Sequence, residues 1–388
     1  MGQIPPIEGT CDGRFARVRD AFAENFAAHD ELGAAVAVVL DGQTVVDLWG
    51  GHVDTGRTRP WRRDTLVHVY STTKGIVALA AHLLVDRGQL DLDAPVARYW
   101  PEFAAAGKGG VPVHLLLSHR VGLPAVRAPL PSGALLDWPA MTAALAAETP
   151  WWEPGTRFGY HIITYGFLVG EVIRRVSGRS VGSFVRTEIA RPLGVEFAIG
   201  LTAAEEARAA QIVPLPVSDP AEGGPILQAL TDPESMVGRM VFNPPMLPEM
   251  VNTHEYRAAE VPAANGHTTA RAVARIYGCL ARGGELDGVR LLRAETLARA
   301  VTEQVAGEDA ALGWPTRLGL GFLLRTPEWR MGPSPRAFGH PGAGGSVGFA
   351  DPDARLGFAY TPSRMTAFVR PELGVRADAL IAATYASL

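Results

Sequence analysis

Val67-His68-Val69-Tyr70-Ser71-Thr72-Thr73-Lys74-Gly75-Ile76-Val77-Ala78-Leu79 starts as a short apolar run, breaks at hydroxyl residues and continues as a helical pattern through Val85. Ser71 falls where a helix would start, a position that hydroxyl residues favour. Lys74 follows three residues later, so one helical turn stacks its amine on the face that carries the Ser71 hydroxyl. The helix behind them (Ile76, Val77, Leu79, Ala80, Leu83, Leu84) is apolar on nearly every side, the pattern of a buried helix. Burial favours the neutral, basic form of a lysine, and a helix N-terminus can stabilise an oxyanion. The pair therefore reads as an activated nucleophile. A serine cap followed by a solvated lysine is the plainer reading of the same spacing, and the rest of the chain has to decide between them.

The surroundings are those of an ordinary globular protein: 388 residues, 47% hydrophobic and 20% charged. A net charge of −4 without a basic run argues against a nucleic-acid partner. Only Cys11 and Cys279 occur, so a disulfide framework is not the basis of stability. The first residues lack the charged and apolar regions of a signal peptide, and no run is long enough to span a bilayer; a cytoplasmic protein without membrane contact is the expectation. No His-x-x-x-His, Cys-x-x-Cys, dinucleotide or phosphate-loop pattern is present, so cofactor-free, metal-free chemistry is expected.

Taken in order, residues 13–28 read as a helix. Residues 34–40 and 44–49 read as strands joined at Asp41-Gly42, a strong hairpin signal. Helices are predicted near 113–117, 138–147, 163–175, 181–190 and 269–282. Residues 202–260 have little periodicity. Strands follow at 318–324, 336–339, 346–350 and 356–360, and a helix closes the chain at 376–385. The economical arrangement is an α/β (α+β) fold, with a mixed, largely antiparallel sheet built from both chain ends and flanked by helices. Residues 1–65 and 316–388 form this α/β lobe, residues 66–315 an inserted, mostly helical lobe, and the site lies at their seam.

Three further stretches can complete such a site. Tyr160, after the turn Pro154-Gly155-Thr156, can shuttle a proton for a serine, against a plain reading as a core aromatic. His340-Pro341-Gly342-Ala343-Gly344-Gly345 offers a glycine-rich edge for substrate. Here the Ala343 amide can serve as second oxyanion donor beside that of Ser71, and His340 and Gly342 as substrate contacts. The segment containing Met236, Met240, Phe242, Met246 and Met250 can supply an adaptable acyl pocket or lid, or simply pack a long loop. Gly344-Gly345-Ser346-Val347-Gly348 matches a nucleophile elbow, but a strand follows where a helix is needed, and no histidine comes later than His340. Ser346 is rejected as nucleophile.

With Ser71-x-x-Lys74, Tyr160 and His340-Pro341-Gly342 in this order, the chain resembles the serine β-lactamase and penicillin-binding superfamily. It is most similar to the class C branch and its relatives, the family VIII carboxylesterases. Gln89–Val96, Leu116–Leu123, Pro154–Tyr160 and Gly342–Phe349 add to the likeness, which runs from about residue 30 to the C-terminus. The resemblance implies Ser71 as acylated nucleophile, Lys74 as its activating partner, Tyr160 as general base and the Ser71 and Ala343 amides as oxyanion hole. It also implies the serine β-lactamase-like, two-lobed fold. Two departures bear on substrate. Tyr160-His161-Ile162 has isoleucine where β-lactamases have asparagine, and His340-Pro341-Gly342 replaces Lys-Thr-Gly. The lost groups are those expected to hold a β-lactam, and the departures suit a small-molecule ester with an apolar acyl group. Glu153 is the one carboxylate near Tyr160 considered for deacylation. An ester hydrolase is the reading adopted. An acyltransferase, a weak β-lactamase or D-amino-acid amidase, and a non-catalytic acyl-ligand binder remain as alternatives.

Overall fold

The computed structural model describes residues 4–214, 232–245, 248–366 and 373–388. Its centre is a nine-stranded sheet whose spatial order is Ile7–Cys11, Gln43–Gly51, Gly33–Leu40, Leu356–Pro362, Val347–Asp351, Phe338–Pro341, Leu323–Leu324, Pro315–Leu318 and Val305–Glu308. Every neighbouring pair is antiparallel. The first and last parts of the chain meet where Leu356–Pro362 pairs with Gly33–Leu40 over their full length. Asp41 and Gly42 turn the hairpin with φ of 52° and 85°, the two left-handed residues that a tight hairpin turn demands.

Both faces of the central strands are buried, and the period of two divides them. Ala34, Val36 and Val38 join a core with Phe15, Val18, Phe22, Leu380 and Ile381 from the helices that precede and close the sheet. Ala35, Ala37 and Val39 face the opposite core with Val273 and Ala274 of helix Ala270–Ala281. That helix lies close against the sheet because Gly357 has no side chain; a Cβ there would sit 2.2 Å from Gly278 N.

The main sheet is antiparallel throughout rather than mixed, and further features depart from the sequence reading. Ile7–Cys11 and Val305–Glu308 are unforeseen edge strands, short and largely exposed, so neither carries an apolar alternation. The sheet's C-terminal contribution thus begins at Val305, earlier than residue 316. Residues 318–324 are not one strand but two, because Gly319 N–H donates to Phe322 O and turns the chain between them. Residues 181–190 continue from a short α-helix into a π-helical turn.

The helix Thr72–Asp86 is buried on nearly every side, as its composition requires. A three-stranded antiparallel sheet of Val67–His68, Gly266–Thr268 and Phe197–Ile199 delivers the chain to its N-terminus. No described helix is long and apolar enough to cross a membrane.

Candidate active site

The strand Val67–His68 hands over to the helix through Tyr70, whose φ of 45° places an aromatic residue in the left-handed region, a conformation that persists only where its surroundings enforce it. They do so through Gly266. Its carbonyl accepts Val69 N–H (2.9 Å), and its N–H donates to Thr73 Oγ1 (2.9 Å), which itself donates to Tyr70 O (2.5 Å). Ser71 follows in helical conformation and makes no side-chain cap bond. Its hydroxyl is therefore not spent on capping, contrary to the simplest reading of a serine at this position.

Lys74 is fully buried. Its Nζ lies 3.1 Å from Ser71 Oγ and donates to the carbonyls of Ile162 (2.8 Å) and Ala263 (2.9 Å). Burial, with no carboxylate to offset it, pushes its pKa well below that of an ordinary lysine. A neutral amine has two N–H donors and one lone pair; two carbonyls take the donors, and the lone pair is left for the serine hydroxyl. The only other lysine of the chain, Lys108, provides the contrast. It too is buried, but its amine donates to three carbonyls, of Ala105, Ala146 and Glu148, which is the coordination of an ammonium ion.

Tyr160 is buried, hydrogen-bonded to Ser71, and lies with its ring centroid 4.7 Å from Lys74 Nζ. Burial drives its phenol far above the usual range, the Ser71 bond opposing and the Asp309 charge adding. The Tyr160 segment is held along its backbone. Gly159 N–H donates to His119 O, Tyr160 N–H to both carboxylate oxygens of Asp309 (2.9 and 3.0 Å), and His161 N–H to His119 Nδ1 (3.0 Å). The His119 ring packs against those of Tyr160 and Tyr165. His161 Nδ1 pairs with Gly159 O and its Nε2 accepts Leu123 N–H, which fixes a neutral tautomer, and burial lowers its pKa to about 3.

Burial, with Lys74 nearby, likewise lowers the pKa of His340 to about 3, and its Nδ1 pairs with Pro341 O at 2.7 Å. His340 is thus a buried neutral ring beside Tyr160 (centroids 5.9 Å apart). At Gly342 the strand passes so close to the start of the helix that a Cβ would lie 2.3 Å from both Val69 O and Ser346 Oγ. Ser346 is buried, donates to Val69 O (2.8 Å) and lies 3.2 Å from Thr72 Oγ1. It clamps the glycine turn to the helix start, which is a structural task. Around that turn the Gly342, Gly345 and Thr366 amides are all bonded to carbonyls. Among the described residues the Ser71 and Ala343 amides find no such acceptor.

The methionine segment is brought in only partly. Met240 forms a small cluster with Ala125 and Ala311, and Met236, Trp151 and Ile162 pack on it. Ile162 thus joins the cluster by its side chain and Lys74 by its carbonyl. Phe242 ends the helix Met236–Phe242, half-buried, and Met250 packs on the main core; neither belongs to the cluster. Met246 lies outside the described residues. Glu153 is exposed, and its backbone carbonyl closes the turn with Thr156. The sequence reading missed three participants. His119 lies in the noted Leu116–Leu123 stretch but had no role, Ala263 acts through its backbone, and Asp309 sits in a segment without any motif.

The beta-lactamase family model matches residues 18–383. The chain belongs to the beta-lactamase family. Within reach of it, the esterase/beta-lactamase LipL of Mycobacterium tuberculosis is 36% identical over 364 residues, 92% of this chain and 83% of that protein. A solved family VIII carboxylesterase superposes with a TM-score of 0.90 at 42% identity, covering 99% of this chain and 100% of its own. A penicillin-binding protein homologue from Caulobacter crescentus gives 0.88 at 40% identity, with 99% and 100% covered.

Proposed function

We propose that this protein is a serine carboxylesterase that cleaves small, uncharged carboxylic esters through an acyl-enzyme on Ser71. The observation that carries the reading is the buried Lys74 amine, with two carbonyls on its donors and the Ser71 hydroxyl on its third side. Lys74 takes the proton of Ser71 Oγ as that oxygen attacks the ester carbonyl, and the Ser71 and Ala343 amides receive the oxyanion. The elevated phenol pKa supports Tyr160 as a donor in this step rather than a resting base. Tyr160 gives its proton to the departing alcohol, and its phenolate then lies beside the Lys74 ammonium. In the second half water gives a proton to the phenolate as it attacks the acyl-enzyme, and Lys74 returns its proton to Ser71.

The substrate class follows from charge. Burial lowers the pKa of Lys74, His161 and His340, so among the described residues of the site these three are poor partners for a substrate carboxylate. Ile162 and the Met240 cluster offer an apolar wall for the acyl chain. The similarity to LipL and to a family VIII carboxylesterase supports the ester-cleaving reading. The test is intact-protein mass spectrometry with a serine-reactive phosphonate and short-chain p-nitrophenyl esters, with product release followed in parallel. One adduct on Ser71 with steady turnover is the expected result. An acyl adduct stable in water but discharged by added amines or alcohols would replace hydrolysis with acyl transfer, and no adduct on Ser71 would overturn the reading.

A further inference from the structure

Asp309 is a fully buried carboxylate that lies outside the Ser71, Lys74 and Tyr160 set. Among the described residues its hydrogen-bond partners are all backbone N–H groups: Tyr160 on both oxygens, and Ala311 and Leu312 on Oδ1 at 2.9 Å. Burial raises its pKa, while the three amide donors and the charge of Arg157 work the other way and favour the carboxylate. The turn around it is closed by Gly313 N–H donating to Asp309 O and by Asp309 N–H donating to Trp314 O. It is fastened to the tyrosine segment a second time by Ala310 N–H donating to Phe158 O. The fit leaves no slack, since a Cβ on Gly159 would meet Ala310 Cβ and Ala311 N at 3.3 Å. The same turn presents Ala311 to Met240 in the apolar cluster.

We propose that Asp309 is the positioning residue of Tyr160: its carboxylate, reaching across from the sheet side of the seam, fixes where the tyrosine backbone stands and so where the phenol meets Ser71. A charged acceptor makes a stronger bond to an amide than a carbonyl does, and the Tyr160 amide donates to both carboxylate oxygens. A side chain held on a loop between two elements needs such a tether, because a displacement of the order of 1 Å costs about a hundredfold in rate. The proposal rests on the serine esterase reading in which Tyr160 handles a proton.

The test compares kcat and KM for p-nitrophenyl butyrate among the wild type, Tyr160→Phe, Asp309→Asn and the double variant, with circular dichroism to establish that each is folded. Asp309→Asn is expected to lower kcat about a hundredfold with KM little changed, and the double variant to be no slower than Tyr160→Phe, because Asp309 acts through that residue. Losses that multiply in the double variant would mean that Asp309 serves general stability, and overturn the proposal. So would a wild-type kcat in Asp309→Asn beside an impaired Tyr160→Phe. An unimpaired Tyr160→Phe would remove the esterase mechanism itself and the proposal with it. Asp309→Glu keeps the charge but lengthens the reach. It is expected to show the same loss in kcat, and it serves as the test if Asp309→Asn does not fold; a wild-type kcat in it would equally overturn the assignment.

Discussion

The Lys74 amine donates to the carbonyl oxygen of Ile162 across 2.8 Å. The residue at the asparagine position of the tyrosine segment therefore holds the lysine by its backbone, and its side chain is free to be apolar and to line the Met240 cluster. On the proposed mechanism, activation of the nucleophile and choice of acyl group are separable at this one position.

Ile162→Asn separates them experimentally. The backbone bond to Lys74 stays, so acetate esters should be turned over at near the wild-type rate. The acyl wall loses apolar surface, and one methylene in such a pocket is worth about 1–3 kcal/mol. The ratio of kcat/KM for butyrate over acetate esters should fall roughly tenfold; an unchanged ratio would place the acyl chain elsewhere.

Ser71→Ala should abolish hydrolysis, whereas Ser346→Ala should keep it and lose stability. The second change removes the bonds to Val69 O and Thr72 Oγ1; Val69 O keeps the Thr72 N–H, so the loss is that of ordinary hydrogen bonds, about 0.5–1.5 kcal/mol each. Urea unfolding and ester turnover on the same samples separate the two effects, and a Ser346 variant that is folded but inactive would contradict the assignment of the nucleophile.

Gly342→Ala should be far more damaging than an added methyl group suggests. The new Cβ would meet the Val69 carbonyl and Ser346 Oγ at 2.3 Å, so the turn carrying Ala343 must move away from Ser71. Turnover should fall at least a hundredfold, the range seen when one oxyanion donor is lost, while phosphonate labelling of Ser71 slows in parallel. Normal labelling would argue that Ala343 is not part of the oxyanion site.

Acid should unfold the protein steeply. His68, His82, His119, His161, His267 and His340 are all buried, and burial lowers the pKa of each. Below about pH 6.5 the unfolded chain takes up protons that the folded chain refuses. Stability is thus full above that pH and falls as pH drops, each histidine contributing about 1.4 kcal/mol per pH unit. Glu31 and Asp309, with pKa values raised by burial, act in the opposite sense but are outnumbered. Denaturation at pH 7.5, 6.0 and 5.0 should show a slope of several protons in the acid range; a slope near one would refute neutral histidines in the fold.

Lys74 has its own signature on the alkaline side. Between its lowered folded pKa and the ordinary lysine value the unfolded state binds the extra proton, so stability rises with pH by about 1.4 kcal/mol per unit. Lys74→Met should lack this contribution along with activity. Equal slopes in the two proteins between pH 8 and 10 would mean that Lys74 is charged when folded.

The legible parts of this molecule are those where local chemistry and tertiary role coincide. Asp41-Gly42 needs no context to turn a hairpin, and a helix apolar on nearly every side behind Ser71 and Lys74 has nowhere to go but the interior. Tyr160 and Gly342 became readable only beside that motif, through the resemblance they share with it. What escaped has no local mark. Ile7–Cys11 and Val305–Glu308 are strands because a partner edge was available, and Ala263 and Ile162 serve Lys74 through carbonyls that any residue possesses. Asp309 matters because of an amide distant in sequence. Met250 and Phe242 belonged to the right composition but to other surroundings, since a methionine packs equally well against a core or a pocket.

Both lysines of this chain are interior, and the remaining basic residues are arginines. Neither lysine side chain offers its amine to solvent in the folded state. Reagents that couple to lysine amines should therefore leave both of these side chains untouched while the protein stays folded. Cross-linkers and fluorophores of the same chemistry should leave its surface bare, so that any label found on Lys74 or Lys108 becomes a direct count of molecules that have opened.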